Sequence, residues 1–291
     1  MIHWTTSGVV STPTTVQIRL SHNHESSLGV GLQNQSRLIT VPEFKANLQY
    51  FKHGLDTTRS IPCHSLTLSG LPLDLDLEPY FAVLKQIPFQ FTTVHLTTLS
   101  QLSTLLPFEE TINRIVVVAG PEHQLQEVPN ILAHKLYCVI PLCGDPLALE
   151  QWLEQSLPQL IRNNTPIVFS YPVPLSDLRP LKPTDIISLF TWLYPLLTPC
   201  KQTVHLKGIP PCLVPSLERL EAIRISSKTS NRWYVDAEHQ CEGARLFFPD
   251  ILHFHKDDQC RFCTLNTSCD GFFLDHLTRY QVQLSAFVDS V

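Results

Sequence analysis

Short apolar runs alternate along the chain with longer segments in which apolar residues recur every three or four positions. The runs are rich in β-branched residues, as buried strands are, and the longer segments have the spacing of amphipathic helices. The predicted strands are 14–20, 64–70, 91–97, 114–120, 136–142, 166–172 and 203–208. The predicted helices are 41–53, 77–87, 98–106, 122–134, 146–162 and 183–197.

Six successive strand–helix pairs predict parallel βαβ units with right-handed crossovers. Because the strands are almost continuously apolar, we expect both faces of the sheet to be covered. The pattern therefore predicts an α/β fold, a partial (β/α)6 barrel of the TIM type with too few strands to close an eight-stranded barrel. Functional residues of such folds lie at the carboxyl ends of the strands.

The alternation stops near residue 209, where a proline-rich and then polar stretch begins. We therefore predict two parts, a partial barrel over 1–208 and a small cysteine-rich appendage over 209–291.

Composition narrows the class of protein. The net charge is −5 and there is no dense basic stretch, which disfavours nucleic-acid binding. No apolar run approaches the roughly 20 residues needed to cross a bilayer. The N-terminus has no basic start followed by an apolar block, so a secretory signal is not expected and a cytoplasmic location is.

Cysteines carry the strongest chemical signal. In "CRFCTLNTSCDGF", Cys260, Cys263 and Cys269 fall within ten positions, and the chain has nine cysteines in all. An odd number without a secretory signal disfavours a disulfide framework and favours metal binding. The predicted fourth ligand is Cys212 in "GIPPCLVP", and Cys241 is its competitor. The spacing fits an iron–sulfur cluster or zinc and does not by itself separate them.

The six strand–helix pairs, the "GIPPCL" segment and C-x2-C-x5-C followed by Asp-Gly resemble the radical S-adenosylmethionine (SAM) family, especially members with an auxiliary cluster after the barrel. The resemblance covers about residues 14 to 285. It implies a [4Fe–4S] cluster at the C-terminal cysteines. In the family, a C-x3-C-x2-C loop after the first strand holds a second cluster, whose open iron binds SAM. Here that loop reads "SHNHESSLG", and its ligand positions hold His22, Ser26 and Gly29.

A second family motif, Gly-Gly-Glu-Pro after the second strand, binds the amino group of SAM. The matching residues here are Ser69, Gly70, Leu71 and Pro72, so leucine replaces the carboxylate. Both departures from the family imply that SAM binding and cleavage have been lost and that the protein is a pseudoenzyme.

Several other groups need an interpretation. His22, His24 and Glu25 resemble a metal-binding group, but we interpret them as a polar loop. The histidines of "HFH" at 253–255 are interpreted as structural or as hydrogen-bonding partners of the cysteines.

The "CGDP" segment follows a predicted strand, where Cys143 could act as a nucleophile or proton donor. We interpret Cys138 as a core residue and Asp145 as the cap of the helix that begins near Pro146. Two further cysteines, Cys63 and Cys200, are expected to be buried.

Two hypotheses follow, from different functional classes. The first is a cluster-bearing partner or accessory subunit that assists a catalytic radical SAM enzyme or presents a peptide substrate. The second is an enzyme of altered chemistry that uses the former SAM cleft. A structural zinc protein is a further alternative.

Overall fold

The computed structural model describes residues 14–21, 37–53, 62–72, 74–96, 98–122, 130–172, 179–198, 204–214, 223–226, 232–235, 245–247, 254–267 and 269–273. The strands are β1 (Thr15–Arg19), β2 (Ser65–Ser69), β3 (Phe91–Leu96), β4 (Arg114–Val118), β5 (Leu136–Pro141), β6 (Ile167–Ser170), β7 (Val204–Lys207), β8 (Ile223–Ser226), β9 (Arg232–Val235), β10 (Arg245–Phe247), β11 (Phe254–His255) and β12 (Phe272–Phe273). The helices are α1 (Val41–His53), α2 (Glu78–Gln86), α3 (Leu102–Leu105), α4 (Asn130–Ala133), α5 (Pro146–Arg162) and α6 (Pro183–Leu197).

All seven predicted strands are confirmed, as β1 to β7. The predicted helices 41–53, 146–162 and 183–197 have the bounds of α1, α5 and α6, and α2 lies within 77–87. The segment 98–106 forms a short 3-10 turn followed by α3. Only α4 is described within 122–134. No described helix is long and apolar enough to cross a membrane.

Ten strands form one sheet in the order β10-β9-β1-β2-β3-β4-β5-β6-β7-β8. The nine strands β1 to β9 are parallel, and β10 runs antiparallel to β9 at one edge. Two of the parallel strands, β8 and β9, lie beyond residue 208, in the segment predicted as an appendage. The sheet therefore continues past the predicted boundary.

Each strand from β1 to β8 lies beside the next one in the chain, so right-handed crossovers place the connecting helices on a single face. Apolar side chains fill that face and are almost completely buried, for example Val16, Ile18 and Leu66. The opposite face carries the alternate residues of the same strands. Its charged and amide members among the described side chains are Gln17, Arg19, His95, Arg114, His205, Lys207, Arg224 and Arg232.

The two faces are not equally buried over part of the sheet. On β5 to β7 the helical face is fully buried, whereas the opposite residues, such as Tyr137, Val139 and His205, are only half-buried. The hydrophobic pattern missed this because valine and tyrosine occupy half-buried positions as readily as core positions.

The sheet is curled. Ser226 ends β8 and Arg232 begins β9, only six positions later, so their Cα atoms lie at most about 20 Å apart. In a flat sheet, the eight steps between these two strands would separate them by about 38 Å, at about 4.8 Å a step. The edges must therefore approach each other, with the helices outside and the polar face, hereafter the inner face, on the concave side.

Candidate metal centre

The four predicted cysteine ligands line one cavity. Cys212 comes from the segment after β7, and Cys260, Cys263 and Cys269 come from the segment between β11 and β12. The cavity is open on one side, and the roughly 330 Å³ of empty space that it spans includes open solvent. Its remaining lining residues are Pro210, Pro211, Lys256, Leu265, Asn266 and Gly271. The fold thus brings together cysteines that lie nearly 50 positions apart in the chain.

Cys212 lies on a 3-10 turn, Pro211–Leu213, which directly follows the end of β7. Proline fixes its own φ and pre-forms the first turn of a helix, so Pro211 favours this turn. The turn is closed by hydrogen bonds from the N–H of Leu213 to the carbonyl of Pro210 (3.0 Å) and from Val214 to Pro211 (2.8 Å). Its half-buried cysteine is therefore held by the backbone rather than by a long side chain.

Cys260 lies in a second 3-10 turn, Asp258–Phe262, and Cys263 directly follows that turn. The N–H of Cys260 donates to the carbonyl of Asp257 (2.9 Å), and the N–H of Cys263 donates to the carbonyl of Cys260 (3.1 Å). Because a 3-10 helix has three residues per turn, side chains three apart project from the same side. Cys260 and Cys263, three positions apart, both line the cavity.

Cys269 closes the loop that follows. Its N–H donates to the carbonyl of Leu265 (2.9 Å), and its Sγ atom accepts a hydrogen bond from the N–H of Gly271 (3.3 Å). Gly271 has φ +89°, a conformation that only glycine adopts without strain. The Asp-Gly pair after the last cysteine therefore turns a backbone N–H toward the sulfur.

Thiol acidity reflects the burial of the site. Burial raises the pKa of Cys269 to about 11, the Gly271 hydrogen bond opposes that rise, and the charge of Cys212 adds to it. Burial also raises the pKa of Cys260, with a smaller contribution from Cys263. Lys256 lowers both values, and its Nζ atom is fixed by hydrogen bonds to Asn266 at the carbonyl (2.5 Å) and Oδ1 (3.0 Å). Without a metal these thiols are protonated at neutral pH, so metal binding must release protons.

Aromatic residues anchor the cysteine segment to the sheet. Phe272 and Phe273 are completely buried, and their rings lie 5.0 and 5.6 Å from the ring of Tyr171, directly after β6. Tyr171 in turn donates from its hydroxyl to the carbonyl of Leu181 (2.9 Å). The ring of Phe254 packs 4.4 Å from that of Phe273 across the β11–β12 pair. Sequence reasoning missed this anchor, for which the double phenylalanine after Asp-Gly was the available signal.

Among the described residues, no three His, Cys, Asp or Glu side chains lie close enough together to bind one metal ion.

Gly70 and Leu71, which were compared above with a SAM-binding motif, follow β2 and lie beside the end of β1. The N–H and Oγ of Ser21 both donate to the carbonyl of Gly70, at 3.0 and 2.9 Å. A Cβ atom on Gly70 would lie 2.5 Å from the carbonyl oxygen of Ser21, and its φ is +64°. Leu71 is buried in the core, and its carbonyl accepts from Nε2 of Gln101 (2.9 Å).

Several residues that the sequence analysis singled out lie outside the part of the chain that the structure describes. They are His22, His24, Glu25, Ser26, Gly29, Cys200, Cys241 and His253.

Cys63 and Cys138 are confirmed as core residues. Asp145 caps α5 as predicted, since its Oδ2 accepts from the N–H of Ala148 (3.2 Å). Cys143 is half-buried, and burial raises its pKa, which makes it a poor nucleophile. His255 is exposed, and its Nε2 atom lies 3.4 Å from Oδ1 of Asp257. It is not one of the residues that line the cysteine cavity.

No protein-family model matches the chain, and no curated protein matches it.

Proposed function

We propose that the protein is a radical-SAM-like iron–sulfur protein, built on a partial barrel of the TIM type. Cys212, Cys260, Cys263 and Cys269 would hold a [4Fe–4S] cluster. The proposal rests on one observation, that these four cysteines line one cavity. Cys212 lies in one 3-10 turn and Cys260 lies in another. Four cysteines are the usual ligand set of such a cluster.

A cluster and a zinc ion would space the four sulfurs differently. A tetrahedral zinc ion with Zn–S bonds of about 2.3 Å holds its sulfurs about 3.8 Å apart. In a four-iron cluster each thiolate binds a different iron, so the sulfurs stand further apart around a larger space. A cavity lined by four cysteines offers the ligand set of the second arrangement.

The residues around the cavity suit bound thiolates. The Gly271 N–H points at the sulfur of Cys269, and the ammonium group of Lys256 lies near enough to lower the pKa of both Cys260 and Cys269. Hydrogen bonds and positive charge toward the sulfurs stabilise the more negative, reduced form of a cluster. With all four irons bound by cysteine, a cluster here would transfer electrons or fasten the segment, and would not bind substrate.

We also propose that the chain does not bind or cleave SAM itself. The position that carries the acid in the family motif is Leu71, which is buried among core residues. A buried leucine offers no partner to the ammonium group of SAM, and burying that charge unpaired costs several kcal/mol. The loop that would hold the SAM cluster carries His22, Ser26 and Gly29 in place of thiolates.

A protein without SAM chemistry but with a cluster is best suited to act as a partner or accessory subunit. Phe262 supports this, because 66% of its surface is exposed and it lies between Cys260 and Cys263. Exposed aromatic side chains are enriched where proteins dock. A partner bound here, for example a catalytic radical SAM enzyme or a peptide substrate, would contact the protein beside the cluster.

The test is anaerobic purification followed by quantification of iron, sulfide and zinc per chain. We expect about four irons and four sulfides per chain, with absorption in the thiolate-to-iron charge-transfer region. Replacing any of the four cysteines by alanine should remove most of the iron. The matched control is Cys143→Ala, because Cys143 is also half-buried but lies outside the cavity.

Two outcomes would contradict the proposal in different ways. About one zinc per chain without sulfide would establish the zinc alternative. Loss of iron on Cys241→Ala, but not on Cys212→Ala, would show that the fourth ligand is wrong.

A further inference from the structure

The inner face of the sheet carries an unusual concentration of positive charge. Strand pairing puts Arg114 on β4, Lys207 on β7 and Arg232 on β9 on this face, together with His95 on β3. These strands are far apart in the sheet order, since β7 and β9 are separated by six intervening strands. The curl of the sheet turns all four side chains toward one space.

Two of these side chains present shielded polar atoms that have no partner. Nδ1 of His95 and Nε of Arg114 are inaccessible to solvent and make no hydrogen bond within the described part of the chain. Buried polar atoms are normally hydrogen-bonded, and an exception calls for an explanation. A ligand that accepts hydrogen bonds at this place would satisfy both atoms.

The guanidinium group of Arg114 is held in place by aromatic rings. Its Cζ atom lies 4.5 Å from the ring centroid of Tyr137 and 5.0 Å from that of Phe91. Contacts of this kind restrict the side chain without neutralising its charge. The guanidinium group is thereby pre-arranged while its charge stays uncompensated by these neighbours.

The charges are close enough to oppose one another. Burial lowers the pKa of Lys207, and the charge of Arg232 lowers it further. Burial also lowers the pKa of His95 to about 3, with added contributions from Arg232, Lys207 and Arg114. Among the described residues, Asp270 is the one acid whose charge acts on Lys207. Like charges from three strands therefore lie close to one another.

An anion bound between these cations would offset their mutual repulsion. Structural stability does not require this clustering, since apolar residues of similar size would pack the same strands at no electrostatic cost. The face is therefore better explained as a binding surface than as a core.

We infer that the inner face binds an oxyanion, a phosphate or carboxylate group of a small ligand, between Arg114, Lys207, Arg232 and His95. Arginine and lysine are the usual partners of both groups, and the fork of a guanidinium group binds two oxygens at once. Neutral His95 can donate one further hydrogen bond from a ring nitrogen. This site uses strand residues and not the cysteine turns, so anion binding and iron content can be measured separately.

The experiment is calorimetric titration of the purified full chain, in a chloride buffer of low ionic strength, with inorganic phosphate, pyrophosphate and citrate. We expect saturable binding, with pyrophosphate tighter than citrate if the site is built for phosphate and the reverse if it is built for carboxylate. Arg114→Gln and Lys207→Gln should each weaken binding at least about tenfold, because each removes a charged partner. Arg114→Lys, which keeps the charge and loses the fork, should fall between wild type and Arg114→Gln.

The matched controls are Arg179→Gln and Lys85→Gln, whose side chains are exposed elsewhere on the protein. They should bind the anions as wild type does. Circular dichroism without anion verifies that each variant is folded, and Lys207→Gln serves if Arg114→Gln does not fold. Absence of saturable binding, or equal weakening in the control variants, would overturn the inference, since the second result reflects general charge screening.

Discussion

The backbone N–H of Gly271 donates a hydrogen bond to the Sγ atom of Cys269, at 3.3 Å. Gly271 can do so because its backbone is left-handed, with φ +89°. A side chain at this position is also excluded sterically, since a Cβ atom would lie 2.1 Å from the carbonyl oxygen of His255. The glycine that follows the last cysteine thus fixes the sulfur and the β11–β12 pair together.

The first prediction concerns this glycine. Gly271→Ala should lower the free energy of unfolding by about 1–3 kcal/mol, from backbone strain and the clash with His255. It should also reduce the iron content, because the turn that presents Cys269 must shift. Gly120→Ala is the control, since a Cβ atom there meets nothing within 4 Å. Urea unfolding and iron quantification measure both effects, and a Gly271→Ala protein as stable and iron-rich as the Gly120→Ala protein would refute this prediction.

The second prediction concerns the aromatic anchor. Phe272→Ala should destabilise the protein by about 3–5 kcal/mol, because it leaves a cavity beside Tyr171 in a fully buried cluster. Phe262→Ala removes the same atoms from a side chain that is 66% exposed, and its effect on stability should be small. Urea unfolding of the two variants compares them directly. Equal destabilisation would show that the anchor is not part of the cooperative core.

The third prediction is a pH dependence from His95. Burial lowers its pKa to about 3 in the folded protein, whereas an unfolded histidine titrates near 6.5. Between these values the unfolded chain binds a proton that the folded protein does not, so stability is lost as the pH falls from 6.5 toward 3. The loss reaches about 1.4 kcal/mol per pH unit for one proton.

Replacing His95 by asparagine removes this contribution. Urea unfolding of the metal-free protein at pH 7, 6 and 5, in chloride buffer, should show a smaller loss of stability for His95→Asn than for wild type. His64→Asn, at an exposed position, is the control and should follow the wild-type curve. Parallel curves for wild type and His95→Asn would show that His95 accepts its proton as readily folded as unfolded.

The fourth prediction is that the protein alone does not cleave SAM. Cleavage requires an iron with a free site and an acid for the SAM ammonium, and the sequence offers Leu71 where the acid belongs. Reconstituted protein incubated with SAM and dithionite should form no 5′-deoxyadenosine above background. Production that survives repurification, and that disappears on mutation of His22 or Ser26, would contradict the proposed loss of activity.

The strands β1 to β7 and the long helices were predictable because each has a strong local pattern. Helix α5, for example, begins with Asp145 and Pro146, and its buried residues recur every three or four positions. Strands β8 and β9 were not predictable, since they are four residues long and carry arginine at inner-face positions such as Arg224 and Arg232. Alternation of this kind in a polar segment looks like a loop until the partner strands are known.

The candidate site likewise has parts that the sequence predicts and parts that it does not. The turn with Cys260 and Cys263 is local, so its spacing predicted the arrangement of its sulfurs. The contact between the rings of Phe272 and Tyr171 joins residues 101 positions apart, and no periodic pattern in the sequence indicates it. The charged inner face depends on the curl of the whole sheet, which brings Lys207 near Arg232 across its two edges. Such relationships follow from topology and not from any short segment.

The pairing of β1 with β9 has a consequence for the protein during its synthesis. Val16 is paired with Trp233, which a ribosome adds 217 residues later. At about 5–20 residues per second, the outer edge of β1 waits roughly 10–40 s for its neighbour. Throughout that interval the nascent chain offers an unpaired strand edge of the kind that promotes association between chains. Because such distant contacts form slowly, β1 has to be shielded until Arg232–Val235 has left the ribosome.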